Sequence, residues 1–230
     1  MTTVTLHGVT LKIPKAVQTP GLMRRLERGT YEEDEAHAAK KRIKQGFRVL
    51  ELGAGLGLVS NICAARAGAE NVLSVEANPA MVPVIRANLD GNGHEKARLI
   101  HGAVTGGDGG GDIAFQANAA FLGGALARDG AKPAELVDVP KIGIRSLIAR
   151  HRPQVVLMDV EGAEAELFDA PWNPQLRFLI LELHPPRYPA AVIKRIVDCM
   201  SETGLTYDPL TSRGRVLGFR KVWPGRESSL

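Results

Sequence analysis

Two short segments in the second half of the chain carry residues suited to acid–base chemistry. Asp159, Glu161 and Glu164 follow one apolar run. Glu182 and His184 follow a second run, and because they are two residues apart they point to the same side of a strand. His184 is the favoured general base, since the unperturbed pKa of histidine lies near neutrality, and Asp159 is the second choice if burial raises its pKa. These side chains could take the proton of a hydroxyl substrate.

Each of these residues also has a structural alternative. His184 could be a hydrogen-bonded side chain at a strand end, and Asp159 could accept hydrogen bonds from the amides near Gly162. Glu161 and Glu164 are three apart, in a turn that is expected to open a helix. They either bind the substrate or stabilise the positive end of that helix.

Glu182 is placed among leucine and isoleucine residues of a predicted central strand. An unpaired carboxylate is costly in such surroundings, which favours a catalytic role. Glu182, Asp159, Glu161 and His184 could alternatively bind magnesium or manganese, since these ions prefer oxygen-rich sites. The spacing does not bring the four side chains together, and we predict no metal.

A glycine-rich turn in the first half predicts a nucleoside-binding site. An apolar strand runs into Gly53, Gly55 and Gly57, and the next strand ends in Glu76. When a strand, a glycine-rich turn, a helix and a second strand follow in this order, the C-terminal end of the second strand lies near the ribose of a bound nucleoside. A dinucleotide fits poorly, because its fingerprint requires glycine where this chain has Leu58.

The pattern Glu51-x-Gly53-x-Gly55-x-Gly57 resembles the first motif of the S-adenosylmethionine-dependent methyltransferases. The resemblance implies that Glu51 faces the cationic methionyl end of the cofactor. It also implies that the cofactor lies against the main chain of the turn, including Ala54, because glycines leave the backbone bare. The cofactor predicted for the chain is therefore S-adenosylmethionine, with S-adenosylhomocysteine as product.

Glu76 is predicted to bind the ribose, since its two oxygens can accept hydrogen bonds from both hydroxyl groups. Its alternative role is to cap the helix that follows. Adenine is expected between Ala77 and Asn78 on one side and Gly102 and Ala103 on the other. Asp159, at the end of a later strand, is expected to reach the same cofactor.

A more specific resemblance is to the FkbM family of methyltransferases. Two motifs carry it, Asp159-x-Glu161-Gly162-x-Glu164 and Leu179-Ile180-Leu181-Glu182-Leu183-His184. The similarity extends from about residue 29 to the end of the fifth predicted strand, at residues 178–183. It implies a seven-stranded methyltransferase fold, with hydroxyl methylation as the common activity and methylation of a peptide amide or amine as the alternative. The acceptor's identity does not follow, because the glycine run at 106–111 lies where the family varies.

Three further site residues complete the prediction. By the same resemblance, Tyr31 and the adjacent Glu32 cover the methionyl end of the cofactor, although they could simply begin a helix. Asn118 is predicted to lie on the acceptor wall, unless its segment is a plain surface hairpin. The predicted acceptor, a small molecule or peptide, would then contact Glu161, Glu164 and Asn118.

Other functions are less compatible with these motifs. An NAD-binding oxidoreductase is disfavoured by Leu58. A nucleic-acid enzyme is disfavoured because the segment from Asp159 to Gly162 lacks the Asn/Asp-Pro-Pro-aromatic form of base-amino methylases. Closely spaced carboxylates would also repel phosphates.

Strands alternate with helices along the chain, which predicts an α/β fold with a doubly wound, mostly parallel seven-stranded sheet and an antiparallel C-terminal hairpin. A small N-terminal β-hairpin and a lead-in helix are expected over residues 1–46. The core spans 47–223, and 224–230 is predicted to be a disordered tail. All three belong to one predicted domain.

Four local details are also predicted. Residues 15–30 are expected to be irregular, and a helix is expected to start at Asn78-Pro79. A third strand is expected over 98–104. The glycine run that follows is expected to be a loop without regular structure.

Composition excludes several classes of protein. The chain has 230 residues, 44% of them hydrophobic, which suits one globular α/β domain. The net charge is +4, and a basic cluster at 40–44 lies at the C-terminal end of a predicted helix that begins with acidic residues, an arrangement that suits the helix dipole. The cluster could instead attract an anionic partner. Cys63 and Cys199 are far apart, so no disulfide or cysteine-metal site is expected. Without a leader or a long apolar run, a cytoplasmic location is expected.

Overall fold

The computed structural model describes residues 1–116, 125–126 and 136–223 of the protein. Asn118 and the predicted tail at 224–230 therefore lie outside the described residues. None of the helices in the described parts of the chain combines the length and the apolar character needed to cross a membrane.

Thirteen strands are described, and in chain order they are β1 (Thr2–Leu6), β2 (Val9–Ile13), β3 (Val49–Leu52), β4 (Val72–Glu76), β5 (Arg98–His101), β6 (Ala103–Thr105), β7 (Gly109–Gln116), β8 (Ala125–Leu126), β9 (Leu136–Gly143), β10 (Val155–Met158), β11 (Phe178–Glu182), β12 (Leu205–Tyr207) and β13 (Val216–Lys221). The helices of the same residues are α1 (Pro20–Arg28), α2 (Glu33–Arg42), α3 (Leu58–Ala67), α4 (Val82–Gly91), α5 (Ile144–His151) and α6 (Ala190–Glu202).

A seven-stranded sheet lies at the centre, in the order β12-β13-β11-β10-β3-β4-β5. The strands from β11 to β5 pair in parallel, and β13 is antiparallel to both of its neighbours. This confirms the predicted α/β sheet with an antiparallel C-terminal hairpin. Because the parallel strands share a direction, their carboxyl ends meet along one edge, where α/β proteins bind ligands.

Apolar side chains cover both faces of the sheet. Val155 and Leu157 of β10 belong to one buried layer, with residues of α1 to α4 and of the β1–β2 hairpin. Val156 and Met158 belong to the other, with residues of α5 and α6. Successive residues of a strand point to opposite faces, so a fully buried parallel strand reads as an unbroken apolar run.

Two of the predicted details near the N-terminal part of the fold are wrong. Residues 15–30 are not irregular, because α1 occupies most of them. Thr19 caps this helix by accepting a hydrogen bond from the amide of Leu22, and Gly29 ends it with φ of 72°. The helix after β4 begins at Val82, not at Asn78-Pro79, because Asn78 closes a separate turn by accepting from the amide of Ala80.

The predicted third strand divides at Gly102. Its first part, β5, pairs with β4, whereas β6 pairs with β9 in a separate four-stranded sheet of order β6-β9-β7-β8. Gly102 permits this change of partner, since a Cβ there would lie 2.5 Å from the Cδ1 atom of Ile142.

The glycine run at 106–111 is also more regular than predicted. Its last three residues begin β7, which pairs with β9 across a shift in register between Gly109 and Asp112. A Cβ at Gly109 would collide with the amide nitrogen of Gly143. Glycine is therefore required for close strand approach here, and the absence of side chains does not prevent strand formation.

Candidate functional site

A cavity of about 470 Å³ opens at the carboxyl edge of the central sheet. The sequence-predicted residues that line it are Tyr31, Glu32, Gly53, Gly55, Glu76, Ala77, Asn78, Gly102, Ala103, Asp159, Glu161, Glu182 and His184. Both predicted halves of the site, the glycine turn and the acid–base group, therefore contribute to one cavity. Four predicted residues do not line it: Glu51, Ala54, Gly57 and Glu164.

The glycine turn after β3 depends on backbone conformations that other residues rarely adopt. Gly53, Gly55 and Gly57 have φ angles of 82°, 53° and 80°. A Cβ at Gly53 would collide with the carbonyl oxygen of Asp159, and one at Gly55 would lie 2.7 Å from the hydroxyl oxygen of Tyr31. The turn is thus pressed between the two segments that carry the predicted methionyl contacts.

Glu76 ties this turn to the end of β4. Its Oε2 atom accepts hydrogen bonds from the amides of Ala54 at 3.0 Å and Gly55 at 3.2 Å, and its Oε1 atom accepts from the amide of Asn78 at 2.8 Å. Burial raises the pKa of Glu76, and the main-chain hydrogen bonds oppose that rise. A carboxylate offers about four lone-pair directions. Main-chain amides therefore already use much of the hydrogen-bonding capacity of Glu76, and its contact with the ribose stays a prediction.

Apolar side chains line the part of the cavity where the sequence predicts adenine. Ala77 and Ala103 lie there as predicted, and Phe115 of β7 packs against both in a small buried cluster. Met81, which is also buried, lines the same cavity. The ring of His101 lies beside this part of the chain, with its Nε2 atom 3.1 Å from the carbonyl oxygen of Ala77. Apolar walls of this kind suit a flat heteroaromatic ring.

Tyr31 and Glu32 lie against the glycine turn that follows β3. The hydroxyl oxygen of Tyr31 accepts a hydrogen bond from the amide of Leu56 at 3.2 Å. Glu32 has a φ angle of 48°, which is uncommon for a residue other than glycine. Its Oε2 atom is buried and has no hydrogen-bond partner among the described residues. Burial raises the pKa of Glu32 well above its usual range.

Glu51 lies beneath the turn instead of facing the cavity. Its Oε2 atom accepts hydrogen bonds from the hydroxyls of Ser60 and Ser74, and the residue is 2% exposed. Burial raises its pKa to about 7, against the lowering effect of the two serines. The structure therefore gives Glu51 a supporting position, one layer below Gly53. Because Glu51 does not line the cavity, its predicted contact with the methionyl end would require another orientation of the side chain.

Three carboxylates surround the imidazole of His184. The Nδ1 atom lies 2.9 Å from Oε1 of Glu164. On the other side of the ring, the Nε2 atom lies 3.4 Å from Oδ1 of Asp159 and 3.5 Å from Oε2 of Glu161. The main-chain amide of His184 donates to the hydroxyl oxygen of Tyr188 at 2.8 Å, which fixes the backbone.

This grouping changes the acidity of its members. Burial, with the nearby Glu182 charge, raises the pKa of Asp159 to about 8. For His184, burial lowers the pKa, but the hydrogen bond and charge of Glu164, with the charges of Asp159 and Glu161, outweigh burial and raise it overall. The raised value of Asp159 places its proton exchange near neutral pH, as general acid–base groups require.

Glu164 was predicted to bind the substrate, and the structure gives it another position. It is 0% exposed and lies behind His184, in a short 3-10 turn (Ala163–Glu166) where the sequence predicted a longer helix. Glu161, by contrast, does line the cavity, and Arg187 lies 3.2 Å from its Oε2 atom. Only one of the two acids of this segment can therefore reach a substrate.

Asp159, Glu182 and His184 offer three atoms within 4.8 Å of one another, a separation that could suit a divalent ion. Glu182 and His184 already have charged partners in the chain, whereas the buried Oδ1 atom of Asp159 has no hydrogen-bond partner among the described residues. Arg215 lies 2.5 Å from Oε1 of Glu182, and the imidazole lies among carboxylates. That this group works without a metal stays a prediction from the sequence.

Sequence reasoning missed several residues of the cavity wall. Glu35 and Arg215 both line it, as does Met81. Burial, with the charges of Glu182 and Asp34, raises the pKa of Glu35 to about 7. The run of acids at the start of α2 was visible in the sequence, but it was explained by the helix dipole alone.

A family profile described as the methyltransferase FkbM domain matches residues 51–207, which is more than half of the chain. No curated protein matches the sequence. Among solved structures, precorrin-6y C5,15-methyltransferase from Geobacter metallireducens GS-15 is 14% identical, with a TM-score of 0.46 and coverage of 91% of each chain.

Two further solved structures are from M. jannaschii. TYW2 in complex with AdoMet is 13% identical, with a TM-score of 0.44 and coverage of 96% of this chain and 86% of that one. The tRNA m1G37 methyltransferase is 13% identical, with a TM-score of 0.47 and coverage of 96% and 54%. The family profile, which includes both predicted halves of the site from Glu51 to His184, is the comparison that decides the family.

Proposed function

The chain belongs to the FkbM family of S-adenosylmethionine-dependent methyltransferases, and we propose that it transfers the methyl group to a hydroxyl of a small molecule or peptide. One observation carries the choice of a hydroxyl. The imidazole of His184 lies at the cavity wall, with one nitrogen held by a buried carboxylate and the other turned toward the cavity side. A base held in this way is needed by an alcohol, which must lose its proton.

The cavity fits the cofactor in size and in chemistry. Its volume of about 470 Å³ is typical of pockets for ligands of this class. The glycine turn leaves bare main chain on one wall. Buried oxygens of Glu32 and Asp159 without hydrogen-bond partners suit the cationic end of a ligand. S-adenosylmethionine supplies an electrophilic methyl group on a positively charged sulfur when it is bound.

The following residues would hold the cofactor. Glu76 would accept a hydrogen bond from the ribose, and Ala77 with Ala103 would enclose the adenine. Tyr31 and Asp159, on either side of the glycine turn, would flank the methionyl end. These roles are supported by the positions of the side chains in one continuous cavity.

The acceptor would be activated by the residues on the other wall. His184 takes the proton of the hydroxyl through Nε2, and Glu161 and Glu182 orient the rest of the acceptor. Methyl transfer from a sulfonium is an in-line displacement, so holding the oxygen about 3 Å from the methyl carbon is the chief remaining requirement. Asp159 is the second candidate for the base, because its raised pKa also lies near neutrality.

Methylation of a peptide amide or amine is the alternative. The carboxylates of the cavity wall weaken it for amines, because they would stabilise the protonated ammonium form, which has no lone pair to attack with. A nucleic-acid acceptor is weakened by the same carboxylates, which would repel phosphates. Among the described cavity residues, acids outnumber arginines, although the chain as a whole has a net charge of +4.

The test uses S-adenosylmethionine with a ¹³C-labelled methyl group and a panel of matched acceptors that carry either a hydroxyl or an amine. The carbon chemical shift of the product's methyl group distinguishes an O-methyl from an N-methyl product. We expect O-methyl products, and transfer lost by about 100-fold or more in His184→Ala with S-adenosylhomocysteine affinity retained. Transfer only to amines, or full activity of His184→Ala, would contradict the proposal.

A further inference from the structure

We propose that Glu164 is a positioning residue, which holds His184 with a proton on Nδ1 and so directs the lone pair of Nε2 toward the acceptor. This inference rests on the proposed methyl transfer to a hydroxyl. It gives Glu164 a role in which it contacts neither cofactor nor acceptor. Its effect on the reaction passes through one hydrogen bond to the imidazole.

The geometry defines which nitrogen carries the proton. The Oε1 atom of Glu164 lies 2.9 Å from Nδ1 of His184. An ionised carboxylate can only accept hydrogen bonds, so Nδ1 must be the donor. In the neutral imidazole the lone pair is then on Nε2, the atom that lies on the side of Asp159 and Glu161. These two acids line the cavity, whereas Glu164 does not.

Packing alone does not explain a carboxylate at this position. Glu164 is 0% exposed, and its Oε2 atom has no hydrogen-bond partner among the described residues. Burying a carboxylate with an unfilled oxygen is unfavourable, and an apolar side chain of similar volume would often be at least as stable. The hydrogen bond to His184 is the one interaction shown for this side chain, so the acid is placed for its effect on the imidazole.

The charged and titratable groups that face His184 come from every segment packed around it. They are Glu164 behind the ring, Asp159 and Glu161 on the cavity side, Glu182 and Tyr188 along its own segment, and Arg187 and Arg215, which pair with Glu161 and Glu182. Glu164 makes the shortest contact with the ring. Its negative charge therefore favours the imidazolium that forms when the proton arrives.

The proton balance is simple. The acceptor oxygen would form a bond to the methyl carbon as the bond from that carbon to sulfur breaks, and the electron pair of the broken bond would stay on sulfur, which leaves neutral S-adenosylhomocysteine. The O–H bond of the acceptor breaks in the same step, and a new N–H bond forms at Nε2 of His184. The imidazolium, stabilised by Glu164, then releases this proton to water. Glu164 forms and breaks no covalent bond in this step, like the orienting acid in hydrolases that use a histidine base.

The experiment measures the imidazole directly and needs no acceptor. Full-length protein with ¹⁵N-labelled histidine is titrated by long-range ¹H–¹⁵N NMR, both ligand-free and with S-adenosylhomocysteine, and the His184 signal is identified by its loss in His184→Gln. We expect the neutral ring to carry its proton on Nδ1. In Glu164→Gln the pKa of His184 should fall by roughly one unit or more, because a charge is replaced by a neutral amide.

Glu166→Gln is the matched control, since Glu166 lies in the same short turn but is exposed. It should leave both the tautomer and the titration unchanged. A neutral His184 with its proton on Nε2, or an unchanged titration in Glu164→Gln, would overturn the assignment. If Glu164→Gln does not fold, the wild-type tautomer alone decides.

Calorimetry with S-adenosylhomocysteine on the same samples separates this inference from the proposed function. Wild-type protein that failed to bind would count against the methyltransferase site while leaving the tautomer measurement valid. Binding with the wrong tautomer would count only against the role of Glu164. Retained binding in Glu164→Gln is expected, because the residue does not line the cavity.

Discussion

The two ends of the cavity are stabilised in different ways. At the cofactor end, main-chain amides fill the oxygens of Glu76, and glycines let neighbouring segments approach closely. At the acceptor end, several carboxylates surround His184, and oxygens of Asp159 and Glu164 are buried without hydrogen-bond partners. Among the described residues, Glu76 is therefore hydrogen-bonded without a ligand, whereas Asp159, Glu164 and, beside the glycine turn, Glu32 each keep a buried oxygen without a hydrogen-bond partner.

This difference implies a division of labour. A preformed main-chain cradle loses little entropy on binding, so changes there should act on cofactor affinity and on folding. A crowded group of carboxylates responds to protons and to cations, so changes there should act on pH dependence and turnover. The predictions that follow test this division, beginning with the largest expected effect.

Gly53→Ala should damage the cofactor end most severely. The new Cβ would collide with the carbonyl oxygen of Asp159, and the φ angle of 82° is strained for alanine. We expect a loss of at least about 3 kcal/mol of unfolding free energy, measured by urea denaturation, together with loss of S-adenosylhomocysteine binding.

Gly21→Ala is the control for this substitution. Gly21 lies in α1 with no atom within 4 Å of its Cβ position, so alanine should be neutral or stabilising by up to about 1 kcal/mol. Equal stability of Gly53→Ala and Gly21→Ala would show that the close approach at Gly53 does not exist.

Glu76→Ala should weaken S-adenosylhomocysteine binding by roughly 10- to 100-fold, the usual effect of losing a charged hydrogen-bond acceptor. The variant also loosens the glycine turn, so affinity alone does not isolate the ribose contact. A double-mutant cycle with the 2′- and 3′-deoxy analogues does so, by calorimetry. Wild-type protein should bind one of the two deoxy analogues more weakly than it binds S-adenosylhomocysteine. In Glu76→Ala the two ligands should bind with equal affinity. A difference that persists in the variant would remove the ribose assignment.

The cofactor end was largely predictable from sequence, because short-range spacing determines it. The alternating glycines and the carboxylate at the end of β4 follow one strand–turn–helix–strand unit. The orientation of Glu51 was not predictable, since both a cavity-facing and a buried carboxylate satisfy the same motif. Only the packing of Ser60 and Ser74 around it shows which way the side chain points.

The acceptor end was predictable in its residues but not in their arrangement. The motif from Asp159 to Glu164 suggested a helix face, and a helix would have placed Glu161 and Glu164 side by side. The chain forms a short 3-10 turn instead, which begins at Gly162 with φ of 106° and sends the two acids to opposite sides of His184. The cytoplasmic location and the single-domain boundaries remain predictions.

The ligand-free protein should lose stability as the pH rises from about 6 to about 8.5. The pKa of Asp159 is raised to about 8 and that of Glu35 to about 7, chiefly by burial. Between the ordinary and raised values the folded state binds more protons than the unfolded state, so alkaline conditions favour unfolding. His184, with its raised pKa, acts in the same direction, because its stabilising charge is lost as the pH rises.

We expect the melting temperature to fall by roughly 5 °C over this range, measured by calorimetry. Asp159→Asn should show a shallower dependence on pH. S-adenosylmethionine, which carries an extra positive charge, should stabilise the protein more at the alkaline end than S-adenosylhomocysteine does. If the melting temperature of Asp159→Asn depended on pH as that of wild type does, ionisation of Asp159 would not be what destabilises the protein at alkaline pH.

The smallest change is expected from metal removal, which should alter neither activity nor stability. Arg215 already pairs with Glu182, and Glu164 already holds Nδ1 of His184. Dialysis against a chelator should therefore leave methyl transfer and the melting temperature unchanged. A rise in melting temperature with manganese in wild type, absent in Asp159→Asn, would instead establish a metal centre.

A crystal structure with S-adenosylhomocysteine would examine both ends of the cavity at once. We predict a ribose hydroxyl within hydrogen-bond distance of Glu76, adenine between Ala77 and Ala103, and the sulfur on the side of Asp159 and His184. A ribose bound to another acidic residue, or a ligand outside this cavity, would contradict the division of the site into a cofactor end and an acceptor end.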